Sequence, residues 1–428
     1  MALDEALRAS TLSGRDKAFA TALVYGTLDN LYLYDQYLQA YSKKPLEKLD
    51  PPVLMILRMG LWQLYHYGVP ESAAVNESAK LCPQVGLRSA KGFVNGMLRN
   101  ILRKEKVLCP KTLEAKTGFN QDLLKVLSAQ LDGEEELIAL SRAFREDRGL
   151  SFRLRGDRTV KEATSQELQK LYKTKPGAYQ EDVIRIFNLR GSVRDMEAWQ
   201  EGLGLVQGEA AMLPAALLAH VSADHQPMDF LDYCAAPGGK TIYYHDLRPQ
   251  DHLTASDLHP HRLQLLEEEL KRLSIEGVRT LVHDGTSPWP EAGETFDRVL
   301  LDGPCSALGL LGGKPERRYR FSLENQADLL ETQARLLDRA GDLVSKNGYL
   351  LYSTCTLNKE ENQDQLEAFL KRRPDFKKVP MDDLLEKACP KLLGLDRALK
   401  EDAKQGYVTL GPHKTGAEGF FVALLAKA

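Results

Sequence analysis

The second half of the chain alternates short apolar runs with stretches of helical spacing, and this alternation limits the fold more than any other feature. Beyond about residue 203, apolar runs predict β-strands at 228–233, 253–256, 280–282, 296–301 and 349–353. Helical periodicity follows at 260–273, 323–344 and 359–370. Alternating strands and helices form a mostly parallel sheet with helices on both faces, so the predicted fold class is α/β. The last runs, 405–411 and 419–425, predict a hairpin that adds an antiparallel strand.

The first 110 or so residues have a different pattern. Apolar side chains recur near every 3.6 residues, as at Val53, Ile56, Leu57, Leu61 and Leu64, and prolines separate the periodic segments. This predicts an all-helical domain. Strand-like runs at 149–155 and 183–187 then flank a helical stretch at 160–172, which predicts a small α+β connector. The predicted domains are a helical domain over 1–117, the connector over 118–200 and an α/β domain over 201–428.

Composition narrows the class of protein. No apolar run approaches the roughly 20 residues that cross a bilayer, and the acidic start is unlike a secretion signal, so we expect a cytoplasmic protein without membrane contact. The six cysteines form no C-x-x-C pair, and no metal site is expected. The net charge is only -3, yet basic residues cluster at 88–125 and 314–320. Such clusters bind phosphate or form a solvated helix face, and charge alone leaves both interpretations open.

A glycine-rich turn follows the first strand of the α/β region. Residues 232–241 read DYCAAPGGKT and precede a helix. Paired glycines let a ligand approach the backbone closely, and the amides of the helix N-terminus suit a carboxylate. The pattern is neither G-x-G-x-x-G nor a P-loop, and a plain glycine turn is the alternative interpretation.

Acidic residues end the next two strands. Asp257 lies where nucleotide-binding sheets place the acid that binds a ribose diol, and Asp284 can accept a hydrogen bond from an adenine amino group. A single aspartate at a strand end is usually a turn or a helix cap. Two in successive strands after a glycine turn favour an adenosine-like cofactor. A carboxylate partner at Lys240 favours S-adenosylmethionine over a dinucleotide.

Two cysteines begin the loops after the fourth and fifth strands. They are Cys305, in the sequence DGPCS from Asp302, and Cys355, in STCTLN from Ser353. The alternative is that both are buried packing residues, but two thiols at the ligand-binding edge of a sheet are harder to explain in that way.

Thiols at this edge suit the methylation of cytosine. Carbon 5 of cytosine is a poor nucleophile, and a thiolate added to carbon 6 makes carbon 5 electron-rich enough to accept a methyl group. The thiol needs a neighbour that lowers its pKa, and Lys240, Lys359 or a helix N-terminus at Asn358 are the candidates. Asp302 is the candidate to hold the amino group and N3 of the base.

Several motifs together resemble known families. Residues 232–241, 302–306, 352–362 and 418–421 resemble the motifs of RNA cytosine-C5 methyltransferases, and residues 10–103 are similar to the NusB-like helical RNA-binding domain. The whole chain resembles the RsmB (Sun/Fmu) family, which methylates 16S ribosomal RNA. This resemblance implies a class I, Rossmann-like methyltransferase sheet, S-adenosylmethionine as cofactor, unassembled or partly assembled ribosomal RNA as partner, and a monomer.

The resemblance also implies roles for particular residues. It makes Cys355 the nucleophile and Cys305 the residue that helps to release the product, with Asp302 and Lys240 in the catalytic set. The cofactor contacts that it implies are Cys234, Ala235, Ala236, Pro237, Gly238, Gly239, Lys240, Asp257, Asp284 and Asp302.

The chain departs from the family pattern in places. Ala307 and Leu308 replace a usual Gly-Thr pair, and only a short stub precedes Arg15, where the family has a full helix. Transfer RNA as the substrate is a close variant of the main hypothesis. A non-catalytic RNA-binding factor and a small-molecule methyltransferase are the alternatives from other classes.

Overall fold

The computed structural model describes residues 2–222 and 226–428, and these form two compact units. The first unit runs to Arg145 and includes Gly312–Phe321, and the second comprises Glu146–Leu311 and Ser322–Ala428. Residues 118–145, which the sequence analysis assigned to the connector, therefore group with the first unit. The division into three domains remains a prediction.

The first unit is helical. Its helices begin where the sequence supplies caps: the side chains of Ser13, Thr112 and Asn120 each accept a hydrogen bond from a backbone amide in the first turn. The helices are α1 (Ala2–Ala9), α2 (Gly14–Asp29), α3 (Leu31–Tyr41), α4 (Pro51–Tyr65), α5 (Glu71–Gln84), α6 (Lys91–Lys104), α7 (Leu113–Thr117), α8 (Gln121–Ser128) and α9 (Gly133–Arg145), with 3-10 turns at Leu46–Lys48 and Arg88–Ala90. The stub before Arg15 is thus a helix of eight residues.

Apolar faces of these helices form the core of the first unit. Leu38, Leu57, Leu61, Leu98 and Ile101 are almost completely buried in one cluster. These side chains lie on the packed faces of α3, α4 and α6, and in α4 Leu57 and Leu61 belong to the series whose spacing predicted a buried helix face.

The basic segment at 314–320 is partly buried within the first unit. The guanidinium of Arg318 is 1% exposed and forms an ion pair of 2.7 Å with Asp29 in α2. The side-chain amide of Asn120 donates to the carbonyl of Phe321 over 2.7 Å. Arg318 therefore pairs with an acid inside the protein. It neither binds phosphate at the surface nor belongs to a solvated helix face.

A small antiparallel sheet begins the second unit. Its strands are β1 (Leu150–Leu154), β2 (Lys173–Pro176), β3 (Val183–Phe187) and β4 (Gly204–Val206), in the order β2-β3-β1-β4. It is accompanied by α10 (Arg158–Leu171), a 3-10 turn at Val193–Asp195 and α11 (Glu197–Gln200). The two strands and the helix expected between 149 and 187 are confirmed, whereas β2 and β4 carry little apolar alternation and were not predicted.

An eight-stranded sheet dominates the second unit. Its strands are β5 (Asp229–Asp232), β6 (His252–Asp257), β7 (Arg279–Val282), β8 (Phe296–Asp302), β9 (Val344–Thr354), β10 (Phe376–Lys378), β11 (Tyr407–Leu410) and β12 (Phe420–Lys427). The order is β10-β12-β9-β8-β5-β6-β7, and β11 also pairs with β12. Strands β7, β6, β5, β8 and β9 are parallel, and β12 is antiparallel to β9. The predicted α/β sheet and its antiparallel strand are confirmed.

Helices cover both faces of this sheet. They are α12 (Glu209–His220), α13 (Gly239–Leu247), α14 (Pro260–Arg272), α16 (Gln326–Asp342), α17 (Gln363–Arg372), α18 (Asp382–Ala388), α19 (Leu392–Leu395), α20 (Ala398–Lys404) and α21 (Pro412–Thr415); α15 (Arg317–Arg320) belongs to the first unit. Further 3-10 turns are Leu308–Leu310, Leu323–Asn325 and Lys359–Glu361.

The alternation of side chains along the strands divides the core between these faces. Leu300 and Leu351 lie in one apolar cluster with α12, and Leu301 and Leu350 lie in another with α16. Strand side chains alternate with a period of two, so each buried strand supplies both clusters. Among the described residues, no helix is both long and apolar enough to cross a membrane.

A buried charge cluster joins α13, β8 and the turn before β6. Asp251 accepts hydrogen bonds from Tyr244 at 2.7 Å, from Arg248 at 3.1 Å and from Arg298 at 3.3 Å. The side chains of Asp251 and Arg298 are 0% and 1% exposed. Removal of the carboxylate would break the ion pair of the buried Arg298 guanidinium.

We therefore expect Asp251→Ala to lower the free energy of unfolding by about 3–5 kcal/mol, the usual effect of removing one partner of a buried ion pair. Urea unfolding measures the change. Asp338→Ala is the control, because Asp338 pairs with Arg372 with both side chains about 40% exposed. Its effect should stay below about 1 kcal/mol. Equal effects of the two substitutions would contradict the assignment of a stabilising role to the buried cluster.

Candidate functional site

Loops after five parallel strands surround one cavity. The carboxyl ends of β5, β6, β8 and β9 lie at one edge of the sheet, where the loop after β7 joins them, and a cavity of about 330 Å³ opens there. This volume is in the range of small-ligand sites. Of the residues expected at the site, those that line the cavity are Cys234, Ala236, Asp257, Asp284, Asp302, Cys305 and Cys355. The sequence-based grouping of the strand ends is thus matched by the geometry.

The glycine turn has the shape that its sequence suggested. Gly238 has a φ of +103°, and a Cβ there would lie 2.2 Å from the side chain of Leu266, so only glycine fits. Gly239 begins α13, and its carbonyl accepts a hydrogen bond of 3.0 Å from Gln207. Ala235, Pro237, Gly238, Gly239 and Lys240 form the turn and the start of the helix without lining the cavity.

The small antiparallel sheet supports this turn. Arg153 of β1 is 1% exposed; it donates to Gln207 over 2.8 Å and pairs with Asp246 of α13 over 2.6 Å. Burial lowers the pKa of Arg153, and the nearby Asp246 opposes that shift. One guanidinium therefore fixes α13 near both of its ends, through Gln207 at the first turn and through Asp246 at the last.

The two strand-end acids differ in their surroundings. Asp257 is 4% exposed and accepts hydrogen bonds from the backbone amides of Ala236 at 3.2 Å and His259 at 3.0 Å. Asp284 is held in a local turn by the amide of Thr286 at 2.9 Å and by its hydroxyl at 2.7 Å. Both bonds lower the pKa of Asp284, and the bond from the backbone amide has the larger effect. Asp284 thus serves as a turn residue, as the alternative interpretation expected, and also lines the cavity.

Asp232 supplies an unused acceptor beside the turn. One of its carboxylate oxygens accepts from Thr241 over 2.7 Å, and the other is buried with no hydrogen-bond partner. Burial raises the pKa of Asp232 to about 7, although the bond from Thr241 opposes the shift. An unpaired buried carboxylate oxygen is rare and suits a cationic group such as an amino acid's ammonium. Asp257 and Asp284 line the cavity next to the glycine turn and fit a ligand that joins a nucleoside to an amino acid, whereas Asp232 lies behind this lining.

Lys240 and Asp302 form an ion pair at the end of β8. The Nζ of Lys240 donates to Asp302 over 2.6 Å, and the hydroxyl of Ser353 donates to the other carboxylate oxygen over 2.8 Å. Burial acts to lower the pKa of Lys240, but the attraction of Asp302 outweighs it and the pKa is raised. The carboxylate partner of Lys240 is therefore a side chain of the protein itself, which the sequence analysis did not anticipate.

The two thiols are neighbours. The sulfur atoms of Cys305 and Cys355 lie 3.3 Å apart, and both side chains are partly buried. The hydrogen bond with Cys305 lowers the pKa of Cys355 against the effects of burial and of the charge of Asp302, and the charge of Lys240 adds a smaller lowering. The same hydrogen bond, followed by burial, raises the pKa of Cys305 well above its ordinary value. The pair therefore favours a thiolate at Cys355 and a proton on Cys305.

The sequence analysis proposed neighbours that would lower the pKa of this thiol, and the structure gives them different positions. Lys240 acts on it, as expected. Lys359 is exposed and pairs with Asp364 over 3.7 Å. The principal neighbour is Cys305, which had been considered only for a separate role.

Two buried acids near the site, Asp232 and Glu361, were missed from the sequence. Glu361 is 0% exposed and accepts hydrogen bonds from Ser306 and Asn358, in the two cysteine loops. The available signal was an acid three residues after Asn358, which is the spacing of a capping box. That pattern predicts a local cap and gives no sign of a partner on the loop of Cys305.

Comparisons with known proteins agree with this geometry. The family model for the 16S rRNA methyltransferase RsmB/F matches residues 216–426, and the NusB family model matches residues 1–103. The chain is 31% identical over 99% of its length to the probable ribosomal RNA small subunit methyltransferase B of Bacillus subtilis, covering 94% of that protein. It is 32% identical over 97% of its length to ribosomal RNA small subunit methyltransferase B of Shewanella oneidensis, covering 92% of it.

Solved structures show the same fold. The crystal structure of PH0851 superposes with a TM-score of 0.75 at 25% identity, over 98% of this chain and 92% of that one. The structure of NSun6 from Pyrococcus horikoshii with SFG gives a TM-score of 0.57 at 20% identity, over 73% of this chain and 99% of that one, a likeness in fold. Matches over nearly the full length at this level of identity establish the family: the chain belongs to the RsmB family of methyltransferases.

Proposed function

We propose that this S-adenosylmethionine-dependent RNA methyltransferase methylates carbon 5 of a cytosine in 16S ribosomal RNA, through a covalent bond between Cys355 and carbon 6 of the base. The observation that carries the proposal is the pair of thiols 3.3 Å apart at the wall of the cavity. The names of the relatives support ribosomal RNA as the substrate. A monomeric, cytoplasmic protein without a bound metal remains part of the proposal.

The residues near the glycine turn would hold the cofactor. Asp257 and Asp284, which line the cavity, are the acceptors available for its hydroxyl and amino groups, and the amides that open α13 would be the donors for its carboxylate. When bound, S-adenosylmethionine supplies a methyl group that is activated by a positively charged sulfur.

Cys355 would act on the base. Its thiolate adds to carbon 6, and the electron pair of the 5,6 double bond moves toward carbon 5, which then accepts the methyl group. The carboxylate of Asp302 would accept a hydrogen bond from the amino group of the base, and Lys240 and Ser353 hold that carboxylate in place. A base within a helix has to leave its stack before it can enter such a pocket.

Cys305 would help to complete the reaction. After methyl transfer the proton of carbon 5 passes to water, the double bond forms again, and the bond between carbon 6 and the sulfur of Cys355 breaks. The leaving group is a thiolate, which the S–H of Cys305 stabilises through the same hydrogen bond that lowers the pKa of Cys355 in the free enzyme.

This mechanism predicts opposite results for the two cysteines. Cys355→Ala should reduce methyl transfer to background, and Cys305→Ala should retain bond formation but accumulate a protein–RNA adduct, because the leaving thiolate has lost its hydrogen-bond donor. Denaturing gels with radiolabelled small-subunit ribosomal RNA show the adduct as a slow band. Cys109→Ala is the control, since this thiol is exposed in the first unit.

The product identifies the reaction. Digestion of the methylated RNA to nucleosides should yield 5-methylcytidine, and bisulfite sequencing should find one protected cytosine in 16S ribosomal RNA. A band that persists in the Cys305→Ala, Cys355→Ala double variant, or a methyl group on another atom, would contradict the proposal. Equal activity on transfer RNA would overturn the assignment of the substrate only.

The loop of Cys355 depends on a close backbone contact. The amide of Gly309 donates to the carbonyl of Cys355 over 2.9 Å, and the amide of Gly419 donates to the carbonyl of Gly309 over 3.0 Å. A Cβ on Gly309 would lie 2.0 Å from the oxygen of Gly419 and 2.8 Å from that of Cys355. A side chain at this position would force the three segments apart.

We expect Gly309→Ala to reduce the rate of methyl transfer by about a hundredfold, the effect of displacing a reacting group by an ångström or so. Binding of S-adenosylmethionine should persist, because Asp257 ends β6 and Asp284 follows β7, away from the altered loop. Single-turnover rates and calorimetric titration measure the two quantities. Gly394→Ala is the control, since a Cβ there has open space. Native activity of the Gly309 variant would show that the loop position does not limit the reaction.

The helical unit would contribute to RNA binding. Arg99 and Arg103 are exposed, lie one turn apart on α6 and share a face of the helix. Cations in such positions bind phosphate and release counterions from the RNA.

Arg99→Glu combined with Arg103→Glu should raise the Kd for 16S ribosomal RNA about tenfold or more at about 0.15 M salt, and should lower the salt slope of binding by about 2. Filter binding over a series of salt concentrations measures both. Arg158→Glu with Lys170→Glu, on α10, is the control with the same change of net charge. An equal loss in the control would attribute the effect to net charge and contradict a binding site on α6.

A further inference from the structure

One buried carboxylate lies between the two cysteine loops. Glu361 accepts hydrogen bonds from the amide of Ser306 at 2.8 Å and from the hydroxyl of the same residue. It also accepts from Asn358 at 3.0 Å and lies 3.5 Å from the hydroxyl of Thr356. Ser306 directly follows Cys305, and Thr356 directly follows Cys355. A single side chain therefore contacts the residue after each thiol.

Further contacts fix the residues before the thiols. Gln333 of α16 donates to Glu361 over 3.1 Å and to the carbonyl of Pro304 over 2.8 Å. On the other loop, Thr354 shares a hydrogen bond of 2.6 Å with Asn362, which donates to the carbonyl of Thr356 over 3.1 Å. Each cysteine is thus held on both sides by a group that includes Glu361 or its neighbour Asn362.

The charge of Glu361 acts unequally on the two thiols. All of its hydrogen-bond partners are donors, so the carboxylate acts only as an acceptor. Its negative charge contributes to the raised pKa of Cys305, after the hydrogen bond to Cys355, burial and the charge of Cys355. For Cys355 the largest influences are the hydrogen bond with Cys305, burial and the charges of Asp302 and Lys240. The negative charge of Glu361, held against the residue after Cys305, disfavours a thiolate on Cys305.

We propose that Glu361 is a positioning residue that holds the two cysteine loops together and keeps the shared proton on Cys305, so that Cys355 carries the thiolate. This role rests on the proposed function, in which Cys355 is the nucleophile. The hydrogen bonds from Ser306 place the carboxylate next to the Cys305 loop, and its burial leaves its charge unscreened by water.

Alkylation of the thiols tests the role without a need for catalysis. Iodoacetamide reacts with thiolates, and peptide mass spectrometry gives a separate rate for each cysteine. In the native protein we expect Cys355 to react faster than Cys305, with the exposed Cys109 as an internal reference. Glu361→Gln keeps the size of the side chain and removes the charge. It should lower the ratio of Cys355 to Cys305 alkylation at pH 7 by about tenfold or more, because thiolate then forms on Cys305 as well.

Matched variants separate charge from shape. Glu360→Gln is the control: Glu360 is the exposed neighbour, accepts a hydrogen bond from Gln326, and should leave the ratio unchanged. Glu361→Asp keeps the charge and should hold the ratio within about threefold of native. Binding of S-adenosylmethionine reports that each variant is folded. If Glu361→Gln does not bind the cofactor, the test rests on Glu361→Asp. A tenfold fall in the ratio of Cys355 to Cys305 alkylation in Glu361→Asp, which keeps the charge, would overturn the role of the charge.

The outcomes distinguish this inference from the proposed function. A native ratio in a Glu361→Gln protein that binds the cofactor overturns the role of Glu361 and leaves the nucleophile assignment intact. Faster alkylation of Cys305 than of Cys355 in the native protein overturns the nucleophile assignment, and with it this inference.

Discussion

The parallel pairing of β8 with β9 places the two thiols in contact. Asp302 at the end of β8 pairs in register with Ser353 near the end of β9. Cys305 and Cys355 follow these positions by three and two residues, so both chains leave the sheet at the same edge and at nearly the same height. A slip in the register of one strand would move every side chain of that strand to the other face of the sheet. The sulfur contact of 3.3 Å therefore depends on the packing of the whole sheet, including Leu300 and Leu301 on its two faces.

Burial has different consequences for the acids and thiols around the cavity. For Lys240 the ion pair with Asp302 outweighs burial, and the charged form persists. For Asp232 and Cys234 burial dominates: the pKa of Asp232 is raised to about 7, and that of Cys234 is raised well above its ordinary range. Of the three thiols that line the cavity, only Cys355 has a lowered pKa. Among these three thiols, Cys355 is therefore the one that most readily forms a thiolate.

The sequence was sufficient to predict the groups at the strand ends but not their partners. Cys305, Cys355, Asp257 and Asp302 could be assigned to one edge because that inference needs only the order of strands and helices. The partner of Lys240 could not be assigned, because Asp302 lies 62 positions away and reaches it only once β5 and β8 are adjacent. Glu361 was missed for the same reason. β10 was missed because it has only three residues and depends on β12 for pairing.

A hydrogen bond from a second thiol lowers the pKa of a nucleophilic thiol only moderately. A cation in direct contact would lower the pKa of Cys355 further, but nucleophilicity falls as the pKa of a thiol falls, so a strongly acidified sulfur would add to carbon 6 more slowly. Here the nearby cation, Lys240, is already paired with Asp302, and the two act on Cys355 in opposite directions. The effect of Asp302 is the larger of the two, and the hydrogen bond with Cys305 is the principal influence on the pKa of Cys355. The same bond is available again when the thiolate leaves, so one contact assists both the addition and the release.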